Sequence, residues 1–479
     1  MTLLERITAL ALDGPAGRAW LGRAPSVEII APAPDVRDGS AERGTAIIER
    51  VEQGFISDWD GGLGEQAREE AHGFDWLRDL RAAGDERAVR SAVKLFTDWL
   101  ARADGDLGYP ARPAIAARRL ANLLRSPQLF QEAEAQAALR HQVARDLQRL
   151  AVWARLPLGP AAGFAVGQAL ITAAASLARQ RKLASRGEML VLDRLDALAR
   201  SDGSAIDGTP RATFLLLENL VQVRLCLRAG GGKIGTPLGA AIDRTAAAVR
   251  TMRHPDGDFT GFRGPTGLST HRIGRLLSAS RTPAQPVAIL RHCGIARMAR
   301  DDLFVFMGGA GTDSLPVEFS ADARRLLVTR DAGRRSGLVQ PQLRAAGVTL
   351  NHDSSEAGQV LTGRAEDGGV RHDRTIFLPL KGFEIRGEDR VAGSRVQEIR
   401  IEFHLAPGCD VARTSDGASL ILRPGERRAG WRFRFRGAEA EILDSADPET
   451  GRRAATIVLK SIAGEGETVV NWGLRRIEG

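Results

Sequence analysis

The sequence is poor in several residue types that mark particular classes of protein. Its 479 residues include three cysteines, Cys226, Cys293 and Cys409, which are too widely spaced for a CxxC pair, a zinc-ligand pattern or a disulfide framework. The longest apolar stretches, such as Ala169–Leu177, are far below the roughly 20 residues that a transmembrane helix requires. The amino-terminal apolar patch Ile7–Leu12 lacks the basic start and the cleavage site of a signal peptide. We therefore expect a cytoplasmic protein with no metal, no cofactor and no membrane span.

Lysine and tyrosine are also scarce. Only five of the 67 basic residues are lysine, so arginine carries almost all of the positive charge, and Tyr109 is the single tyrosine. The net charge of +8 would suit a polyanionic partner, which could be a nucleic acid, an acidic glycan or a membrane surface. The same arginine bias is typical of neutral drift in a GC-rich genome, and this alternative stays open. Because the arginines are scattered and no nucleic-acid-binding module is recognisable, we expect no nucleic-acid partner.

The first part of the chain has the apolar spacing of helices. Apolar residues recur at intervals of three and four between Val89 and Leu100, which predicts a helix with one buried face. Turn signals separate further segments of this kind, and successive helices joined by short loops favour packed hairpins. The predicted helices are Leu3–Leu12, Gly17–Leu21, Ala114–Leu124, Glu132–Leu150, Gly167–Gln180, Glu188–Leu198, Thr213–Arg228 and Leu238–Arg250.

Near residue 285 the segments become short and alternating. In Trp431–Arg436 aromatic and basic residues alternate strictly, which predicts a strand with one buried face. Several such strands at hairpin spacing favour a sandwich or a large antiparallel sheet, and we divide the chain into a helical domain, 1–285, and a β domain, 286–479. The other predicted strands are Leu303–Phe306, Leu315–Phe319, Leu326–Thr329, Arg374–Leu380, Gln397–Leu405, Ser419–Leu422, Ala455–Lys460 and Thr468–Trp472.

Three segments carry a resemblance to a known family. His72–Gly84 is similar to a run in the alphaproteobacterial branch of the heparinase II/III-like family. Arg386–Arg390, followed by Phe403-His404-Leu405, resembles the "RGEDxLxG" and "RFHLHP" strands of that family, and Leu315–Leu327 is similar to its "LSFEL" stretch. The resemblance implies an incomplete (α/α) toroid of helical hairpins followed by an antiparallel β-sandwich.

The resemblance also implies a chemistry, β-elimination on a uronic-acid polysaccharide by a carbon–oxygen lyase. A base must reach the weakly acidic proton next to the uronate carboxylate, and the developing negative charge must be neutralised. In the family a Tyr or His acts as base or acid, an Asn or His neutralises the carboxylate, and some members add a metal held by His and Asp.

This sequence departs from the family at those positions. The two histidines of the motif before the "LSFEL" strand fall on Gly309 and Gly311, and the histidine of a later motif falls on Gly347. The acidic or amide position after the next strand is Thr329. Glycine has no group that transfers a proton or binds a metal, and each lost acid or base typically costs about 10²–10⁴-fold in rate.

Other residues could replace the missing groups. His271, near the end of the helical part, His352, five residues beyond Gly347, and Tyr109 are the catalytic candidates. The candidates for substrate binding are His72, Trp76, Arg118, Arg119, Arg272 and His404, with arginine suited to bidentate contacts with carboxylate or sulfate. For each of them a structural role, in packing, in a turn or as solvated surface charge, is the alternative.

Two functions are therefore open. One is a protein that binds an acidic, uronate-containing polysaccharide or oligosaccharide with degraded lyase machinery. The other is an active polysaccharide lyase whose catalytic residues have been relocated. The sequence leaves the oligomeric state undetermined.

Overall fold

The structure is a computed structural model that describes most of the chain. The described residues are 2–54, 64–102, 108–309, 315–329, 347–367, 370–393, 397–425, 429–446, 451–463 and 466–477. Among them, helices come first along the chain and strands follow. No helix in these ranges is both long and apolar enough to cross a bilayer.

The structure contains the predicted helices and four more. Every helix expected from the periodicity is present in the described residues, and α3, α4, α5 and α13 are additional. The helices are α1 Leu3–Asp13, α2 Pro15–Leu21, α3 Ala41–Glu52, α4 Glu65–His72, α5 Trp76–Ala83, α6 Glu86–Arg102, α7 Pro113–Arg125, α8 Ala133–Trp153, α9 Pro160–Ser176, α10 Arg181–Leu198, α11 Pro210–Ala229, α12 Thr236–Thr251 and α13 Thr270–Ser280.

The strands form three antiparallel sheets in the described residues. Their order is β1-β2-β3-β4-β5 in the first, β10-β15-β14 in the second and β11-β12-β13-β16-β9-β8-β7-β6 in the third. The strands are β1 Ile289–Leu290, β2 Ile295–Arg300, β3 Leu303–Gly308, β4 Val317–Ala321, β5 Arg324–Leu327, β6 Gly347–Ser355, β7 Gly358–Asp367, β8 Val370–Pro379, β9 Glu384–Gly393, β10 Gln397–His404, β11 Cys409–Arg413, β12 Ser419–Pro424, β13 Trp431–Arg436, β14 Glu439–Ala446, β15 Arg453–Ala463 and β16 Gly466–Arg476.

The chain divides into two compact units. The first contains residues 1–199 and 216–242, and the second contains residues 200–215 and 243–479. The change from helix to strand near residue 285 does not coincide with this division, because residues 243–285 group with the β-sheets. A change of secondary structure and a change of packing partner are separate properties of a chain.

An ionic cluster in the first unit explains much of the segment His72–Gly84. Arg81 contacts the Asp35 carboxylate at 2.7 Å, and Arg78 lies 3.4 Å from the same oxygen. Burial alone would raise the pKa of Asp35, but the charges of Arg125, Arg78 and Arg81 outweigh it and hold the pKa at about 2. The arginines of this segment therefore fix α5 to the loop that precedes α3.

The three sheets of the second unit share one apolar core. Ile399, Ile401 and Phe403 alternate along β10 and are fully buried, and the Phe403 ring lies 4.8 Å from that of Trp472. Trp431 and Phe433 are likewise buried in β13, with the intervening arginines turned outward. The strict alternation predicted for this strand is confirmed.

Candidate functional site

Gly309 and Gly347, to which the resemblance assigns family histidines, lie on different strands or their ends: Gly309 follows β3, and Gly347 begins β6. A Cβ atom added at Gly309 would lie 2.9 Å from a methyl carbon of Val348, the residue after Gly347, and 3.1 Å from Leu350. Position 311 lies outside the described residues. Gly309 therefore lies beside the first residues of β6, and Val348 and Leu350 are the side chains that face it.

Aliphatic side chains close the space beside Gly309. A contact of 2.9 Å between carbon atoms is well inside the roughly 3.5–4.0 Å of an optimal van der Waals contact. Leu350 is buried and Val348 is half-buried, so a side chain added at Gly309 would press against packed aliphatic groups. Even an alanine at this position would be overpacked against β6.

His352 lies on the same face of β6 as Val348 and Leu350, farther along the strand. It lies four positions beyond Val348, which corresponds to about 13 Å in an extended strand. Its Nε2 lies 3.3 Å from Oε1 of Gln359, and the amide of Gln359 donates to the Ala299 carbonyl at the far end of β2. Gly309 instead donates its backbone N–H to Gly294, before the start of β2. These contacts place His352 and Gly309 at opposite ends of β2.

A buried histidine network lies in the second unit and was not predicted. His254 Nδ1 lies 2.6 Å from Ser320 Oγ, and its Nε2 lies 2.7 Å from Glu318 Oε2. The other oxygen of Glu318 accepts the backbone N–H of Gly261 at 2.8 Å. Thr329, at the family's acidic or amide position, packs beside Gly261. Glu318 and Ser320 alternate with apolar residues in the fully buried strand β4, and a buried glutamate requires a polar partner.

The charges of this network follow from its burial. Burial lowers the pKa of His254, against the opposing effect of Glu318, so the imidazole is neutral. Burial would raise the pKa of Glu318, but the hydrogen bond from His254 and the charge of Arg325 outweigh it and lower the pKa. Neutral His254 therefore donates to an ionised Glu318 and accepts from the Ser320 hydroxyl. The three groups resemble an activated serine, but all of them are withdrawn from solvent, so the arrangement stabilises the fold.

A second buried network explains the Arg386–Arg390 motif. Asp389 accepts hydrogen bonds from Arg374 at 2.6 Å, from His372 at 2.7 Å and from the Trp472 indole at 2.7 Å. A Cβ at Gly387 would lie 2.1 Å from the Trp472 ring. The glycine of the motif makes room for the indole, and the aspartate neutralises a buried arginine. The similarity to the family at this motif thus concerns structure.

In the first unit, three candidates form a buried cluster. The His72 and Tyr109 rings lie 5.3 Å apart, and the Trp99 indole donates to His72 Nδ1 at 3.0 Å. Arg119 is fully buried and binds both carboxylate oxygens of Asp146, at 2.6 and 2.8 Å. In this arrangement His72, Tyr109 and Arg119 pack and stabilise the unit, and no polysaccharide could contact them. Burial also raises the pKa of the Tyr109 hydroxyl, so the phenol stays protonated and the phenolate that could act as a base is less populated.

Two other candidates of the first unit remain at the surface. Arg118 is partly exposed and lies between Asp75, at 3.4 Å, and Glu69, at 3.8 Å. A Cβ at Gly73 would lie 2.5 Å from Arg118 Cδ, so this glycine allows the arginine to cross the backbone. The half-buried Trp76 donates its indole N–H to the Ala71 carbonyl. Both could contact a ligand from solvent.

The remaining candidates lie in the second unit. His271 and Arg272 are exposed in the first turn of α13, and the Arg272 guanidinium lies 5.3 Å from the centre of the Phe214 ring. His404 is buried, and its Nδ1 lies 2.8 Å from Thr456 Oγ1 on the paired strand β15. His404 therefore stabilises a strand pair and does not reach a ligand. Within the described ranges, no cluster of His, Cys, Asp and Glu has the geometry of a metal site.

Comparison with known proteins identifies the β part. Residues 328–473 match the family model described as heparinase II/III-like, C-terminal. Residues 328–473 therefore form a heparinase II/III-like C-terminal domain. The predicted resemblance is confirmed for this region, which contains both the Asp389 network and the start of β6.

Solved structures confirm the predicted fold class. The heparan sulfate lyase HepC from Pedobacter heparinus aligns with a TM-score of 0.67 and 12% identity, over 98% of this chain and 88% of that chain. A heparinase III gene product aligns with a TM-score of 0.71 and 11% identity, over 98% of this chain and 91% of that chain. The predicted incomplete (α/α) toroid followed by an antiparallel β-sandwich is therefore confirmed.

One curated relative has a different description. The chain is 25% identical over 484 residues to FtsZ-localized protein C of Caulobacter vibrioides, and the similarity covers 85% of this chain and 81% of the relative. This similarity extends over both units, whereas the family model covers the β part.

Proposed function

We propose that this heparinase II/III-like protein binds an acidic, uronate-containing polysaccharide or oligosaccharide and has lost lyase chemistry. The closed space beside Gly309 carries the proposal. The resemblance assigns catalytic histidines to positions 309 and 347, which are both glycine here, and Val348 and Leu350 crowd the space beside Gly309. The half-buried His352 contacts the Gln359 amide at the opposite end of β2 from Gly309, and His271 is exposed in the first turn of α13.

The charge of the chain supports binding. A net charge of +8, carried almost wholly by arginine, suits the carboxylates and sulfates of an acidic glycan. Arg272 is an exposed candidate and Arg118 a partly exposed one, and the half-buried Trp76 offers part of a flat apolar ring to solvent. Partial pairing of Arg118 with Asp75 and Glu69 leaves the guanidinium able to exchange partners, because surface ion pairs contribute little free energy.

Cleavage and binding can be measured separately on one panel of glycans. Heparan sulfate, chondroitin sulfate and alginate are incubated with the chain, and unsaturated uronates are followed by ultraviolet absorbance, with and without divalent metal. We expect no absorbance change and saturable binding of at least one glycan in titration calorimetry. Arg118→Gln and Arg272→Gln should weaken this binding, and Arg453→Gln, on the exposed part of β15, is the matched control.

Two outcomes would contradict the proposal. An absorbance rise that disappears in His271→Ala or His352→Ala would establish the alternative, an active lyase with relocated residues. If the chain binds no member of the panel, the proposal that it binds an acidic glycan is wrong.

A second candidate function is a role with the division protein FtsZ. It is favoured by the relative named FtsZ-localized protein C, whose identity to this chain is about twice that of the solved lyases and extends over both units. Co-sedimentation with FtsZ polymerised by GTP, against unpolymerised FtsZ as control, tests it directly. Absence of the chain from the polymer pellet would exclude this candidate.

A further inference from the structure

Helix α1 presents its large aliphatic side chains to solvent. Leu3 is 74% exposed, Leu4 45%, Ile7 56% and Leu10 53%. Leu3, Ile7 and Leu10 follow the three-and-four spacing of one helix face. A helix that stabilised only its own unit would turn this face inward. Five of the thirteen large apolar side chains exposed in the described residues occur within the first 20 residues, so the exposure is concentrated here.

The acidic residues of the same helix point into the protein, where their carboxylates accept hydrogen bonds. The Glu5 carboxylate accepts the backbone N–H groups of Thr2, at 2.7 Å, and Gly159, at 3.3 Å. Asp13 accepts from the backbone of Gly108 at 3.0 Å, and its other oxygen from Arg149 at 3.1 Å. Both carboxylates are buried, although acids are the residue types that usually cover a solvated face.

The exposed charges beside this apolar face are positive. Arg6 lies on the solvent side of α1, and Arg23 follows α2. Within residues 2–27 both acids are buried, so the surface of this segment combines aliphatic side chains with arginine. This combination complements a surface that is apolar below and anionic above, as a lipid bilayer with anionic headgroups is.

Helix α2 continues the feature. Gly17 approaches α1 so closely that a Cβ there would lie 2.2 Å from the Ala11 carbonyl oxygen, which holds the two helices tightly together. Trp20 on α2 is 44% exposed, and tryptophan is a residue type that favours the bilayer interface. The two helices form a unit that we call the α1–α2 hairpin, residues 3–21.

We propose that the α1–α2 hairpin lies on the surface of an anionic lipid bilayer. Leu3, Ile7 and Leu10 enter the boundary between headgroups and acyl chains, and Arg6 and Arg23 contact lipid phosphates. The helix lies in the plane of the interface, and the chain binds reversibly, since a short amphipathic helix buries little apolar area. Neither glycan binding nor FtsZ is required for this interaction.

Vesicle flotation with the full chain tests the proposal. Vesicles of phosphatidylcholine mixed with phosphatidylglycerol should carry the protein upward, and vesicles of phosphatidylcholine alone should carry much less. Leu3→Glu with Ile7→Glu should reduce the bound fraction at least about tenfold, since binding scales with buried apolar area. Arg6→Gln should weaken binding about fivefold, because each cation near an anionic surface contributes roughly that factor. Met189→Glu, at an exposed apolar site on α10, is the matched control and should float like the unchanged chain.

A fluorescent label reports insertion directly. The native cysteines Cys226, Cys293 and Cys409 are buried, and burial raises the pKa of the Cys293 and Cys409 thiols to about 12. A maleimide dye sensitive to polarity should therefore label Ile7→Cys selectively. Its emission should shift to shorter wavelength with anionic vesicles and stay unchanged when the dye is on Met189→Cys.

The outcomes discriminate between occupants of the surface. Failure of the unchanged chain to float with anionic vesicles overturns the proposal, as does equal flotation of the Leu3→Glu, Ile7→Glu variant. A dimer that the same double change converts to a monomer, with no vesicle binding, would assign the face to a second copy of the chain and overturn it as well. Circular dichroism confirms that each variant keeps its helices.

Discussion

Replacing Gly309 by alanine tests whether the family's histidine position is closed. The added Cβ would lie 2.9 Å from Val348 and 3.1 Å from Leu350. Overpacking of this kind typically costs about 1–3 kcal/mol. The backbone of Gly309 is not in the left-handed region, so alanine also restricts the unfolded chain and returns about 0.4–1 kcal/mol. We expect a net loss of about 1–2 kcal/mol in the free energy of unfolding.

A double-mutant cycle isolates the contact. Val348→Ala removes the nearest methyl group, so Gly309→Ala should be neutral or stabilising in that background, with a coupling energy of about 1–2 kcal/mol. Urea denaturation followed by tryptophan fluorescence measures all four chains. Gly239→Ala is the matched control, because no atom lies within 4 Å of a Cβ at that position of α12, and it should not destabilise.

Two results would refute the reasoning. If Gly309→Ala is as harmless as Gly239→Ala, the space beside Gly309 is open. If its cost is unchanged when Val348 is alanine, the closure has another origin, and the structural support for lost catalysis fails.

Three further predictions concern the buried charges. Asp389→Asn leaves Arg374 buried without a counterion and should destabilise the protein by about 3–5 kcal/mol in urea denaturation. Burial lowers the pKa of His254 and of His372, so both stay neutral in the fold while the unfolded chain takes up protons below about pH 6.5; stability should fall from there toward pH 5, by up to about 1.4 kcal/mol per pH unit and histidine. The pKa of Asp35 is about 2 in the fold and 3.8 for an ordinary aspartate, so its ionised form contributes roughly 2 kcal/mol of stability above pH 4. This contribution is lost as the pH falls toward 2. The melting temperature of Asp35→Asn should therefore decrease less between pH 4 and pH 2 than that of the unchanged chain.

Each of these predictions has its own control. Asp444→Asn removes an exposed partner of Arg453 and should change stability by less than about 1 kcal/mol, so an equal effect at Asp389 would contradict the buried network. His254→Gln should reduce the acid slope between pH 6.5 and 5, and an unchanged slope would mean that this imidazole is not held neutral. A variant Asp35→Asn with the same acid sensitivity as the unchanged chain would contradict the role of the arginine cluster.

Periodicity predicted the elements best where one face of an element meets one core. The helix around Val89–Leu100 and the strand Trp431–Arg436 were both predicted correctly. Burial of one face places apolar residues at every third and fourth position of a helix and at alternate positions of a strand, and this period is visible in the sequence. Helices α4 and α5 were missed, since each has only eight residues and carries many charges. Their arginines satisfy distant carboxylates such as Asp35, which no local pattern reveals.

For the candidate site, the sequence predicted which of the family's residues are missing. The resemblance predicted histidines at positions 309, 311 and 347, where the sequence has glycine, and the structure places Gly309 beside Val348 and Leu350 of β6. No pattern in the sequence distinguished Arg118 from Arg119, although one is partly exposed and the other fully buried. Neighbouring residues of a helix point in directions about 100° apart, so their burial depends on what packs against each face.

The sequence by itself determined the resemblance to the heparinase II/III-like family, the order of helices and strands, and the presence of glycine where that resemblance predicts histidine, because these depend on residue types and their spacing. Only the tertiary structure decided that His254, Glu318 and Ser320 meet inside the fold, and that aliphatic side chains fill the space beside Gly309. It also decided that the apolar face of α1 turns outward while its acids turn inward. Such contacts join residues far apart in the chain, and their energy depends on which surfaces exclude water together.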